Sequence, residues 1–206
     1  MERELPKKVG IMGGTFDPIH IGHLLLAQQA CAQFALDKVL FMPSSQPPHK
    51  DTRQVTSAVH RQAMTKLAVQ GNSRFIYSDL ELLRTGTTYT SDTLTELHTR
   101  YPDTIFHFIM GADSLFAVDS WHEPEKIFQQ AVILAANRME VPKEEIKRQI
   151  EYLRRRFSGQ VCLIDMPDIA ISSRDVRKRR KNGLPIRYYV PDSVYEYIME
   201  HQLYIS

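Results

Sequence analysis

Residues 13 to 23 read Gly-Gly-Thr-Phe-Asp-Pro-Ile-His-Ile-Gly-His and concentrate several groups suited to handling a polyanion. The glycine pair directly follows the short apolar run Val9 to Met12, so it allows a tight turn and close backbone approach to a ligand. A helix after such a turn aims its backbone N–H groups and the positive end of its dipole at the ligand, which makes a phosphate site. His20 and His23 are three apart and share one face of the first helical turn, and Gly22 between them carries no side chain to obstruct a ligand. Imidazoles donate to phosphate oxygens and can take up charge as a polyanion approaches. The same spacing also serves a surface pair or a metal pair, although further ligands for a closed zinc site are not evident nearby. Glycine pairs are common at strand-to-helix turns, so the specificity lies in His20-Ile21-Gly22-His23.

Other chemistry-bearing segments punctuate the chain. Pro47-Pro48-His49-Lys50 is a stiff basic stretch inside the long loop 43–55, a length more often functional than idle and in isolation also readable as a solvated turn. Tyr89-Thr90-Ser91-Asp92-Thr93-Leu94 opens a helix with several hydroxyls and unpaired backbone donors, which suit a carboxylate or simply cap the helix. Gly111-Ala112-Asp113-Ser114-Leu115 follows an apolar strand, where glycine admits a ligand and Asp113 can accept from ribose hydroxyls. Trp121, the single tryptophan, is either a core residue or a stacking surface for an aromatic ring. Ser172 and Ser173 are good caps and good phosphate donors at a helix start, and Arg177 lies one helical turn beyond Ser173 on the same face. The basic run Arg177 to Lys181 also fits a nucleic-acid patch, which the overall charge disfavours.

These segments must be positioned by the elements around them. Apolar runs at Val9–Met12, Val39–Met42, Phe75–Tyr77, Thr104–Met110, Ala131–Ala136 and Val161–Ile164 alternate with helical patterns at Leu24–Leu36, Ala58–Val69, Ser91–Arg100, Pro142–Phe157, Ser172–Lys181 and Pro191–Glu200. The alternation predicts an α/β fold: a doubly wound, mostly parallel, Rossmann-like sheet with helices on both faces. Such sheets bind ligands beyond the carboxyl ends of their strands, where all the segments above fall. No repeat or linker divides the chain, so one domain over 1–206 is expected, with 171–206 a C-terminal helical part that completes the anion site. With 206 residues the chain can bury a full core, and a formal charge of +2 argues against a nucleic-acid or membrane partner. No apolar run approaches the roughly 18 residues a membrane span needs, and the charged N-terminus lacks a signal region. Cys31 and Cys162 sit in apolar contexts without metal-like spacing, as reduced core thiols do. A soluble, cytoplasmic protein is expected.

Read whole, GGTFDPIHIGH resembles the signature of the HxGH nucleotidyltransferases, which include class I aminoacyl-tRNA synthetases and small adenylyl- and cytidylyltransferases. It is similar in particular to the bacterial nicotinate-nucleotide adenylyltransferases. The resemblance extends from residue 9 to about residue 204 through the PPHK, YTSDTL and GADSL…Trp segments and a variant of the family's SSxxIR motif. It implies transfer of AMP from ATP to nicotinate mononucleotide, giving deamido-NAD and pyrophosphate. It assigns catalytic roles to His20, His23 and Arg177. It places ATP against Gly13, Gly14, Thr15, Phe16, His20, His23, Gly111, Asp113, Arg138, Ser172, Ser173 and Arg177. It places the mononucleotide against Thr15, Asp17, Lys50 (with Arg53 near its phosphate), Thr90, Trp121 and His122, where Thr90 and His122 offer backbone donors to the nicotinate carboxylate. Magnesium is implied as the companion of ATP, with no protein ligand named. Arg174 and Val176 stand where the family usually has Thr and Ile. Asn137-Arg138-Met139-Glu140 replaces its Arg-Pro-Gly turn beside adenine. A different phosphorylated acceptor (nicotinamide mononucleotide, phosphopantetheine or a sugar phosphate), a non-catalytic nucleotide sensor and an RNA-binding protein are the competing readings, and a homo-oligomer is left open.

Overall fold

The computed structural model describes residues 6–45, 55–137, 141–167 and 169–205. Strands β1 (Lys8–Gly14), β2 (Lys38–Pro43), β3 (Phe75–Tyr77), β4 (Ile105–Gly111), β5 (Val132–Ala136) and β6 (Val161–Ile164) form one sheet in the order β3-β2-β1-β4-β5-β6. Every pairing is parallel. The helices are α1 (Ile21–Phe34), α2 (Ala58–Val69), α3 (Thr90–Arg100), α4 (Ala112–Ala117), α5 (Pro124–Gln130), α6 (Lys143–Phe157), α7 (Ser173–Lys181) and α8 (Asp192–Glu200).

The strands read as continuous apolar runs because both faces are buried. Successive side chains therefore alternate between two cores. Along β2, Leu40 and Met42 enter one core, while Val39 and Phe41 enter the other. Along β5, Ile133 and Ala135 alternate in the same way with Leu134 and Ala136. The first core is closed by Leu94 and Leu97 of α3, Ile127 and Phe128 of α5, and Ile146, Ile150 and Leu153 of α6. The second is closed by Leu26, Ala27 and Ala30 of α1, Met64 of α2, Val176 of α7, and Val194 and Ile198 of α8. Cys31 is buried in that second core, and neither cysteine is bridged.

The chain steps outward from β1 to β2 and β3, then crosses back through α3 to place β4 on the other side of β1. Strand order thus reverses between β1 and β4, and their carboxyl ends, Gly13-Gly14 and Gly111, flank the crevice where such sheets take ligands. The helix after β1 begins at Ile21, a turn earlier than its apolar periodicity indicates, with His20 as N-cap. Residues 112–130 contain α4, a 3₁₀ turn (Val118–Ser120) and α5, which the apolar pattern did not reveal. At six and seven residues, α4 and α5 are too short for a helical period to register. Among the described residues no helix is long and apolar enough to cross a membrane.

Candidate active site

At the first turn, the backbone N–H of His20 donates to His23 Nδ1 at 3.2 Å. A neutral imidazole that accepts through Nδ1 carries its proton on Nε2, so His23 is fixed as an Nε2 donor. The two rings stack with centroids 3.7 Å apart, and the Phe16 ring meets His23 edge-on at 5.1 Å. The reason for glycine at 22 differs from the one expected. A Cβ there would lie 3.1 Å from Cε1 and Nδ1 of His20 and 3.7 Å from the Ile171 carbonyl oxygen. The space is occupied by the His20 ring rather than kept clear for a ligand.

The start of α7 is docked onto the same turn. Ser172 is its N-cap, accepting from the Asp175 N–H at 3.1 Å. Ser173 Oγ donates to the Pro18 carbonyl at 2.9 Å, and Arg177 Nη1 donates to the Asp17 carbonyl at 2.5 Å. The Ile21 N–H donates to the Tyr189 carbonyl at 2.9 Å. The first and last crossovers therefore meet, and both helix starts open on one crevice.

Two cavities adjoin there. One, of about 290 Å³, is lined by Gly13, His23, Gly111, Asp113, Trp121 and Ser172 among others. The second, of about 600 Å³, is lined by Gly13, Gly14, Thr15, Thr90, Trp121 and His122 among others. Gly13, Phe108, Ser114 and Trp121 belong to both walls. Of the residues expected at ATP, His23, Gly111, Asp113 and Ser172 line the smaller cavity and Gly14 and Thr15 the larger, which Thr90 and His122, expected at the mononucleotide, also line. Trp121 packs edge-on against Phe108 at 6.1 Å, and Tyr89 lies against His122 at 4.3 Å. Among the described residues no side-chain hydrogen bond caps α3, whose first residue, Thr90, lines the second cavity.

Several expected ligands do not line either cavity. His20, Phe16 and Asp17 are 1%, 2% and 3% exposed. His20 lies against His23, Phe16 packs in the core beside it, and the Asp17 carboxylate is consumed by internal hydrogen bonds. Ser173 and Arg177 hold the Asp17-Pro18 turn, and Arg177 keeps about a third of its side chain exposed. Lys50, Arg53 and Arg138 lie outside the described residues.

Two buried polar residues, Arg61 and Glu81, and the partly buried Tyr204 were not singled out from sequence. Arg61 on α2 is 2% exposed, and its guanidinium donates to the carbonyls of Thr56, Thr15 and Ser44 at 2.8–2.9 Å. It ties the end of β2 to the end of β1; burial lowers its pKa, against the attraction of Asp17. Tyr204, near the chain end, donates to Asp17 Oδ1 at 2.7 Å, and burial pushes its phenol pKa well up. Glu81 lines the larger cavity and accepts from Thr93 Oγ1 at 2.9 Å; burial raises its carboxyl pKa. A charged residue on an amphipathic helix ordinarily marks a solvated face, so nothing local distinguished Arg61.

The parallel sheet, the reversal at β1/β4 and the glycine turn under two helix starts define a nucleotidyltransferase architecture. The cytidylyltransferase-like family matches over residues 11–179. The chain belongs to the nicotinate-nucleotide adenylyltransferases. It is similar to proteins described as probable nicotinate-nucleotide adenylyltransferases from Lachnoclostridium phytofermentans (42% identical, covering 97% of this chain and 100% of that one) and Desulfitobacterium hafniense (45%, covering 97% and 96%). In fold it resembles the nicotinic acid mononucleotide adenylyltransferase of Plasmodium falciparum complexed with NaAD, at a TM-score of 0.79 and 23% identity over 97% of this chain and 98% of that one.

Proposed function

We propose that the chain transfers the adenylyl group of ATP to nicotinate mononucleotide, releasing pyrophosphate and forming deamido-NAD. The observation that carries this reading is the pair of cavities joined at Gly13, one faced by His23 and Ser172 and the other by Thr90, Trp121 and His122. ATP occupies the smaller space with its phosphates toward the starts of α1 and α7, and part 171–206 completes that site. The mononucleotide occupies the larger space, its ring against Trp121 and its carboxylate at the uncapped start of α3. Backbone N–H groups favour a carboxylate over an amide, whose own N–H groups would face donors. The mononucleotide phosphate attacks the α-phosphorus in line, and the bond to the bridging oxygen of pyrophosphate breaks.

No protein nucleophile is required, because positioning and charge stabilisation carry this chemistry. His23 donates through Nε2 to the phosphates, with His20 holding its ring by the 3.7 Å stack. The backbone N–H groups at Ser172 and Ser173 and the exposed part of the Arg177 guanidinium add donors from the start of α7, the serine hydroxyls being engaged by Asp175 and Pro18, and these donors strengthen as charge moves to the leaving group. Magnesium accompanying ATP would neutralise phosphate charge and would need few protein ligands, and none is assigned. The cytoplasm is the expected compartment.

The test is pyrophosphate release from ATP with nicotinate and nicotinamide mononucleotides in parallel. Release is expected with the nicotinate acceptor foremost. His23→Ala is expected to stay folded and lose on the order of 10²-fold in rate. Full turnover by His23→Ala, or no release with either acceptor, overturns the reading.

A further inference from the structure

Asp17 is the point where distant parts of the chain meet. Its carboxylate is almost fully buried. Oδ2 accepts from the Thr56 N–H at 3.2 Å and lies 3.9 Å from Arg177 Nη1. Oδ1 accepts from the Tyr204 hydroxyl at 2.7 Å. The same residue's carbonyl receives Arg177 at 2.5 Å, and Arg61 holds the Thr15 carbonyl two residues back at 2.8 Å. After α8 the chain turns through two left-handed residues, Gln202 (φ 49°) and Tyr204 (φ 63°), and so brings the phenol to this point from 187 residues away.

We propose that Tyr204 is a positioning residue for adenylyl transfer: its hydroxyl holds the Asp17 carboxylate back from Arg177 and so leaves the guanidinium for the phosphates of ATP. Arg177 Nη1 already touches the Asp17 carbonyl, while the carboxylate oxygen stands 3.9 Å off, a loose ion pair without a hydrogen bond. A buried carboxylate that loses its shortest donor must find another, because an unsatisfied buried charge is costly. The carboxylate recovers a donor by closing the 3.9 Å ion pair with Arg177 to hydrogen-bond distance. That pairing would draw cationic charge out of the crevice. Burial keeps the phenol protonated, so it remains a donor throughout the working pH range. The clasp rests on the proposed ATP site but not on the identity of the acceptor.

The experiment compares full-length native enzyme with Tyr204→Phe, which removes only the hydroxyl, and with Asp17→Asn and the double variant. Pyrophosphate release is measured with ATP and nicotinate mononucleotide, and affinity for a non-hydrolysable ATP analogue is measured by calorimetry. Tyr204→Phe is expected to lower kcat about tenfold, the effect of one hydrogen bond, with KM for the mononucleotide within about twofold of native. The ATP analogue is expected to bind several-fold more weakly. The double variant is expected to be no slower than the slower single variant, because both substitutions break one contact. Rates are referred to folded enzyme, counted by analogue binding at saturation. A purely structural role for the hydroxyl predicts a lower Tm with native kcat per folded molecule, and strictly additive effects in the double variant. Either result overturns the proposal. If the native enzyme turned over neither mononucleotide, the acceptor assignment would fail, and analogue affinity would still decide the clasp: unchanged affinity in Tyr204→Phe overturns it.

Discussion

Gly22→Ala separates catalytic geometry from stability. The new methyl would stand 3.1 Å from two atoms of the His20 ring, where ordinary contact is about 3.6 Å, so the ring must retreat by roughly half an ångström. His20 is 1% exposed and stacked on His23, so its retreat displaces the His23 ring or lifts the α1 start away from Ile171. Overpacking by one methyl costs about 1–3 kcal/mol, and the low end applies because one ring can tilt. Replacing glycine by alanine inside a helical turn returns up to about 1 kcal/mol. The net change in stability is therefore about 1 kcal/mol or less, a Tm shift of about 2–4 °C for a chain of this size. Turnover responds differently, because a displacement of about 1 Å can cost 10²-fold, and half that shift is expected to cost about tenfold. Thermal unfolding and continuous pyrophosphate detection on the same preparation test this. A variant with native turnover would refute the claim that the His20–His23 stack sets the donor position. So would a Tm loss above roughly 10 °C with native turnover per folded molecule.

Gly13→Ala makes a complementary case: its Cβ would meet only Phe108 at 3.8 Å, so Tm should stay within about 2 °C of native. The same methyl would project into the wall shared by both cavities, and turnover should fall about tenfold or more; a fully active variant would show that no reactant approaches that backbone. Glu81 binds its proton more tightly in the folded chain than in the unfolded one, since burial raises its pKa. Its contribution to stability is therefore fully present below the ordinary carboxyl range and declines as pH rises through the raised value. Glu81→Gln should be relatively more stable the higher the pH, gaining on native enzyme as pH rises above the ordinary carboxyl range; parallel Tm curves would show that burial does not govern this group.

The local part of the site was legible because its signals are short in range. Gly13-Gly14 and the His20-Ile21-Gly22-His23 spacing lie within a single strand-to-helix turn. Strand and helix periods located six strands and six of the eight α-helices among the described residues, since both faces of the sheet are buried and its strands are uninterruptedly apolar. Tertiary identities were not legible in the same way. The contact between Tyr204 and Asp17 spans 187 positions, and neither residue carries a local mark of it. Asp17 sits inside the glycine-turn motif, yet its carboxylate accepts from Tyr204 and Thr56 within the fold. Proline at the first position of α5 was available as a helix-start signal, but seven residues gave no periodicity to support it.

Phosphate chemistry needs donors placed to a fraction of an ångström, whereas the groups proposed to meet ATP lie on the starts of helices joined, among the described residues, by few polar contacts. Apolar packing supplies the missing rigidity. Val176 of α7, Ile198 of α8 and Leu26, Ala27 and Ala30 of α1 share one core beneath the sheet. Close-packed interiors transmit displacement instead of absorbing it, so α1 and α7 cannot move independently of that core. The polar clasp at Asp17 then fixes only the last degree of freedom, the rotation of side chains at the turn. This division places the residues of the turn, Asp17 and Pro18, under contacts that join both ends of the chain.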